Sequence, residues 1–320
     1  METANGAMTY TTLGRTGLRV SVMGLGCGGH SRLGQAAGRS AAESVAVVRR
    51  AMDLGIDFID TAESYGTEAI VGEAIAGRRD DVILSTKKSM TAGGGRLIGP
   101  DDLARGLEAS LARLGTDHVD IYHLHGVSAA QYGHVREHLV PALERLREQG
   151  KVRFLGITEA FGSDTAHRML SQAVQDDWID VLMVGFNILN QSARERVLAP
   201  CLAKNIGVLD MFAVREDLHK PEKLRATVAA LVVAGLVDGA GLDAEAPLDF
   251  LVASGAAESL PDAAYRFCRA EPGIHVVLSG TGSVAHLEAN VASFARPLLT
   301  PEVRERLVRM FARVDTVSGQ

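Results

Sequence analysis

Short runs of apolar and β-branched residues recur along this chain. Between them the apolar positions change to a spacing of three and four. The runs read as strands, whose side chains alternate between two faces, and the wider spacing reads as helices. Strands are expected at residues 22–28, at a run ending at residue 60, and at 82–86, 119–125, 152–157, 179–184, 206–212 and 274–278. Helices are expected at 40–54, 68–76, 101–114, 140–149, 160–175, 192–203, near 224–233 and at 301–314. Leu103, Leu107 and Leu111 show the helical period directly. Ser40 with Glu43, and Ser192 with Glu195, have capping-box spacing, and Thr300 followed by Pro301 opens the last helix.

Eight strand–helix alternations predict right-handed βαβ units closing into an α/β (β/α)8 TIM barrel. Residues 10–20 read as a β-hairpin around a glycine turn, placed to close the bottom of the barrel. The expectation is one domain over residues 1–320, with residues 1–8 as a disordered tail. Residues 214–258 exceed a simple crossover and are expected to form an insertion over the active rim. A short or helical tail is expected to leave the substrate mouth more open than a long C-terminal loop would.

Composition narrows the function. The net charge of −6 over 320 residues argues against nucleic acid or an anionic membrane as the main partner. Cys27, Cys201 and Cys268 form neither a disulfide framework nor a metal spacing, so no metal is expected and the location is expected to be cytoplasmic. No apolar run approaches the ~20 residues of a membrane span, and no signal pattern opens the chain.

The candidate chemistry lies at strand ends. Residues 55–66 read as a buried strand ending in Asp60, followed by a loop that lifts Tyr65. Residues 82–87 end in Lys87, and residues 119–125 end in His125. In a parallel α/β fold the carboxyl ends of strands converge on one rim, where sites are built. With Asp, Tyr, Lys and His in that order, the chain resembles the aldo-keto reductase family from Tyr10 to about Asn290, and the resemblance implies these four as the catalytic tetrad. The residue types suit carbonyl reduction. An alkoxide must be protonated, and a free phenol, with a pKa near ~10, is a weak acid for that task near neutral pH. Tyr65 is therefore read as general acid, Lys87 as the cation that lowers its pKa, Asp60 as the anchor of Lys87, and His125 as the group that orients the carbonyl. His123 and Lys88 are neighbouring competitors, His123 being placed in the core.

The same resemblance implies a nicotinamide cofactor, NADP(H) rather than NAD(H). It lays Gly26 and Cys27, at the glycine-rich end of the first barrel strand, along that cofactor. Residues 278–290 read as a strand, a glycine turn and a helix start, whose amides make an anion site. By resemblance Gly280, Thr281 and Ser283 meet phosphate and Asn290 meets adenine. His286 stands where the family usually has Lys or Arg, and imidazole is the weaker phosphate partner. On the nicotinamide side, Thr158, Glu159 and Met183 stand where the family has Ser, Asn and Gln. Asn187 shares strand parity with Met183 and is a substitute for the Gln. An ionised Glu159 at the carboxamide would favour the oxidised ring and make the reduced cofactor a stronger hydride donor. Its alternative is a solvent- or cation-facing carboxylate. Met211 or Phe212 is a candidate for stacking on nicotinamide, and Arg215 for phosphate or an acidic substrate.

The function expected is NAD(P)H-dependent reduction of an aldehyde or ketone. The same tetrad suits an NAD-dependent sugar or alcohol dehydrogenase, and the altered carboxamide clamp suits a redox-sensing regulatory subunit. The substrate loops, residues 29–35, 126–132 and 214–258, do not reveal the substrate.

Overall fold

The computed structural model describes residues 8–320, so the expected tail, apart from Met8, lies outside the described residues. Strands β1 (Tyr10–Thr12) and β2 (Arg19–Ser21) pair antiparallel, with Tyr10 opposite Ser21. The turn between them needs left-handed backbone at Gly17, φ 69°, which glycine adopts without a Cβ clash.

Eight further strands follow: β3 (Met23–Gly26), β4 (Phe58–Asp60), β5 (Ile83–Ser89), β6 (Val119–Val127), β7 (Val152–Glu159), β8 (Val181–Gly185), β9 (Gly207–Met211) and β10 (Val276–Ser279). They pair in parallel in chain order, and β10 returns to β3 to close a (β/α)8 TIM barrel. Parallel neighbours need long crossovers, and helices such as Ala41–Asp53, Glu68–Ile75 and Pro100–Leu114 supply them. The alternation of side chains sends Phe58, Ile121, Val181, Met183, Leu209 and Val276 into the barrel interior, where Leu13, Leu18 and Val20 of the hairpin join them. Arg15 N–H donates to Asn205 C=O, just before β9, so the hairpin plugs the end where strands begin and leaves the opposite rim for the site.

Helix 41–53 has the capping box expected of it: Glu43 N–H donates to Ser40 Oγ, and Ser40 N–H to the Glu43 carboxylate. Four local features differ from, or were not part of, the expectation. Of residues 160–175, only Arg168–Ala173 is α-helix, because His167 takes left-handed backbone, φ 58°, immediately before it. Ser192 does not cap with Glu195; its hydroxyl lies 2.7 Å from Asn190 Oδ1. Helix Leu260–Arg269 was not anticipated, although Ser259 as N-cap and Pro261 in the first turn carry its start signal.

The tail is the fourth. After helix Pro301–Phe311 the chain returns to the residues that follow β8. Asn190 and Asn187 donate to the carbonyls of Val317 (2.9 Å) and Ser318 (3.2 Å). The Gln320 side chain joins Arg215, after β9, to His30, after β3. The tail thus ties together the segments that follow β9 and β3, the two strands that flank β10.

Candidate active site

Asp60 is the last residue of β4, and parallel pairing sets it beside Ser85 of β5. The Ser85 hydroxyl donates to Asp60 Oδ1 at 2.9 Å, and Lys87 Nζ donates to Oδ2 at 2.5 Å. The ammonium also donates to the Thr61 carbonyl at 2.8 Å. Both charged side chains are buried, so each needs the other to offset desolvation. Burial alone would lower the Lys87 pKa, but the Asp60 carboxylate and the nearby Tyr65 outweigh it and hold the ammonium above its ordinary value.

Tyr65 closes a short 3-10 turn, Glu63–Tyr65, immediately after β4. Lys87 Nζ lies 4.9 Å from the centre of its ring. Its hydroxyl is 3.4 Å from His125 Nε2, and the two rings meet edge to face at 86°. One side of the phenol ring rests on Gly28, where a Cβ would lie 2.5 Å from Tyr65 Cε2. The phenol itself thus makes a close approach to the glycine-rich segment after β3, at Gly28.

The electrostatics differ from expectation in one respect. Burial raises the Tyr65 pKa, and the Lys87 charge lowers it by less, so the phenol ends above its ordinary value. Burial and then Lys87 depress His125 to about 3, which leaves a neutral imidazole. Ser64 Oγ lies 3.4 Å from His125 Nδ1, on the side of the ring away from Tyr65. His123, paired with Lys87 in the sheet register, is buried and also held well below the ordinary histidine value, mainly by burial.

The remaining candidates are spread around the barrel, several of them already engaged. Gly26 ends β3, and a Cβ on Gly280 would stand 3.1 Å from its carbonyl oxygen. Cys27 is buried, which raises its thiol pKa. Thr158 Oγ1 accepts from Gly126 N–H at 2.8 Å, just past His125. Glu159 is turned inward, accepting from Gly185 N–H at 2.8 Å and pairing with His167 Nδ1 at 3.0 Å. No local sequence signal marks His167, which is one of several polar residues between 160 and 175. Met183 packs in the barrel interior, with Met211 against it. Asn187 donates to the Phe212 and Ser318 carbonyls. Asn290 Nδ2 donates to Ser279 Oγ at 2.9 Å. Ser283 caps helix Val284–Ala295, and Thr281 Oγ1 accepts from Ser283 N–H at 3.1 Å. His286 is exposed on the first turn of that helix.

Phe212 adopts left-handed backbone, φ 72°, and stacks on Phe161 at 6.2 Å. The Arg215 guanidinium lies 4.0 Å above the Phe212 ring, and its Nη1 is buried without a hydrogen-bond partner among the described residues. An orphaned buried guanidinium nitrogen after β9, the strand that pairs with β10 ahead of the 280–283 turn, fits an anionic dinucleotide.

The rim of this closed parallel barrel thus carries a buried carboxylate–ammonium pair, a phenol and a neutral imidazole. The model of the Aldo/keto reductase family matches residues 24–310, and the chain belongs to that family. It is an oxidoreductase, and the family uses NAD(P)H. It is 37% identical to L-galactose dehydrogenase of Arabidopsis thaliana over 153 residues, 46% of this chain and 47% of that protein. The chain thus aligns with about half the length of that relative. It is 25% identical over 310 residues to the uncharacterized oxidoreductase YqkF of Bacillus subtilis (strain 168), covering 93% and 95% of the two chains. Among solved structures, the holo form of aldo-keto reductase AKR11C1 from Bacillus halodurans superposes with a TM-score of 0.71 at 22% identity, covering 95% and 96%. The thermostable aldo-keto reductase Tm1743, solved with the inhibitor epalrestat, gives 0.67 at 25% identity, covering 95% and 100%.

Proposed function

We propose that this protein reduces an aldehyde or ketone with NAD(P)H, Tyr65 acting as the general acid. The observation that carries the reading is the phenol hydroxyl 3.4 Å from His125 Nε2, with the Lys87 ammonium 4.9 Å from the ring centre. The reduced nicotinamide, when bound, supplies the hydride. Arg215 and the 280–283 turn would hold its phosphates.

A carbonyl oxygen placed against Tyr65 and His125 meets two groups suited to it. The neutral imidazole, as the Nε2–H tautomer, donates a hydrogen bond that polarises the carbonyl. As the carbon gains hydride, the C=O π pair moves to oxygen, and that oxygen takes the Tyr65 proton to give the alcohol. Burial keeps the proton on the phenol until then, and the Lys87 ammonium stabilises the phenolate left behind. Asp60 keeps the ammonium charged and fixed. The pair therefore serves the acid mainly after proton transfer.

The reading keeps NADP(H) ahead of NAD(H), with a small carbonyl compound as substrate. The test is loss of reduced-nicotinamide absorbance with a panel of aldehydes such as nitrobenzaldehyde, run with each cofactor. Turnover that depends on Tyr65 supports the reading; cofactor binding without turnover of any carbonyl or alcohol overturns it in favour of a sensing role. The similarity to L-galactose dehydrogenase favours a second direction, oxidation of a sugar or other alcohol with NAD. A preference for alcohol plus NAD⁺ would select it.

A further inference from the structure

Lys87 and Lys88 are adjacent on β5, so their side chains leave the strand on opposite faces. Lys87 points to the site. Lys88 runs outward, and its stem fills a slot in helix Pro100–Leu114 made by Gly106. A Cβ on Gly106 would lie 2.6 Å from Lys88 Cδ and 2.8 Å from Cε. The ammonium then reaches back to Glu63, with Nζ 2.9 Å from each carboxylate oxygen. Ser89 N–H donates to the same carboxylate at 3.1 Å. Glu63 and Lys88 side chains are only 21% and 15% exposed, so solvent screens the pair weakly.

Glu63 is the first residue of the turn that carries Tyr65. That turn has no side-chain cap, and its residues are half-buried at Glu63 and Tyr65 and exposed at Ser64. Its internal backbone bond is Tyr65 N–H to Ala62 C=O at 3.1 Å. Left to itself, such a turn would not hold a phenol to within an ångström. Two neighbouring lysines hold this segment, Lys87 at the Thr61 carbonyl ahead of the turn and Lys88 at the Glu63 carboxylate within it.

We propose that the Lys88–Glu63 ion pair, seated over Gly106, is a positioning clamp that sets the Tyr65 hydroxyl for proton transfer. Neither residue touches the reacting atoms; both act through Tyr65. The proposal rests on the reading of Tyr65 as general acid. A displacement of about 1 Å in a reacting group can cost ~100-fold in rate.

The test uses the full-length protein. Lys88→Met is expected to lower kcat for aldehyde reduction by about 10- to 100-fold, with KM for the cofactor within twofold of wild type. Lys88→Arg, which keeps a cation for the carboxylate, restores most of the loss. In a Tyr65→Phe background, Lys88→Met changes the residual turnover less than twofold, because the clamp has no acid left to place. General loss of structure would lower both backgrounds alike. Backbone hydrogen exchange over residues 61–66, measured without cofactor, is expected to rise in Lys88→Met and return in Lys88→Arg. If the wild type proves inactive yet exchange responds in this way, the clamp stands and the catalytic reading falls. If the wild type is active while Lys88→Met keeps kcat and exchange within twofold, the clamp is overturned. Unchanged exchange together with an inactive wild type overturns both.

Discussion

Glu159 and His167 form a buried pair, with His167 Nδ1 3.0 Å from both carboxylate oxygens and both side chains fully inaccessible. His167 reaches Glu159 from a left-handed backbone, φ 58°, and stacks on Phe161 at 5.3 Å. Phe161 in turn stacks on Phe212. A residue considered for tuning nicotinamide is therefore directed into a packed polar contact beneath the rim. Glu159→Ala is expected to lower unfolding free energy by about 3 kcal/mol, because His167 and the Gly185 amide lose a buried acceptor. Urea denaturation measures this. Glu159→Gln is expected to leave the redox equilibrium of bound cofactor within ~10 mV of wild type. A shift of 30 mV or more, equivalent to about 1.4 kcal/mol, would restore the tuning role.

Tyr65→Phe is expected to reduce carbonyl turnover at least 100-fold while the cofactor dissociation constant changes less than twofold, since the ring can still rest on Gly28. Steady-state rates and fluorescence titration with NADPH and NADH check the two halves. Retained turnover would require another proton donor.

Lys87→Met leaves Asp60 buried without its cation and is expected to cost about 3–5 kcal/mol of stability, in addition to activity. Adding Asp60→Asn should recover part of the stability and none of the activity. A double variant no more stable than Lys87→Met would argue against the ion pair as the cause.

Gly28→Ala places a Cβ 2.5 Å from the Tyr65 ring. The backbone at Gly28 is not left-handed, so the clash falls on the phenol and not on the chain. The expected result is a 10- to 100-fold loss of kcat with a melting temperature within a few degrees of wild type. Turnover equal to wild type would show that the ring can yield without consequence.

The depressed pKa of His125 predicts a pH dependence of stability. In the folded protein this imidazole protonates only at about 3, against 6.5 for an ordinary histidine. Between those values the unfolded chain binds a proton that the folded chain does not. The contribution is therefore complete above pH 6.5 and shrinks as pH falls toward 3, by up to ~1.4 kcal/mol per pH unit. His123, held low mainly by burial, acts in the same sense. Urea midpoints should fall between pH 6.5 and 4, and less steeply in His125→Gln. A wild-type midpoint constant over that range would contradict a neutral buried imidazole.

The sequence by itself determined the barrel and the residue types at its rim. Strand alternation and helical spacing are local, and a lone Asp, Lys or His at the end of an apolar run is visible without knowing its neighbour. Parallel closure then leaves few places for those ends to go. Only the tertiary structure decided which groups touch. Glu63 and Lys88, Gly28 and Tyr65, and Gln320 and His30 come together through register, crossover packing and barrel closure, none of which has a local signal. The same holds where local pattern misled. Residues 160–175 have helical spacing, but the pairing of His167 with Glu159 goes with left-handed backbone at residue 167, and the helix begins only after it. Partner choice across 25 to 290 residues depends on the closed barrel, and periodicity does not carry it.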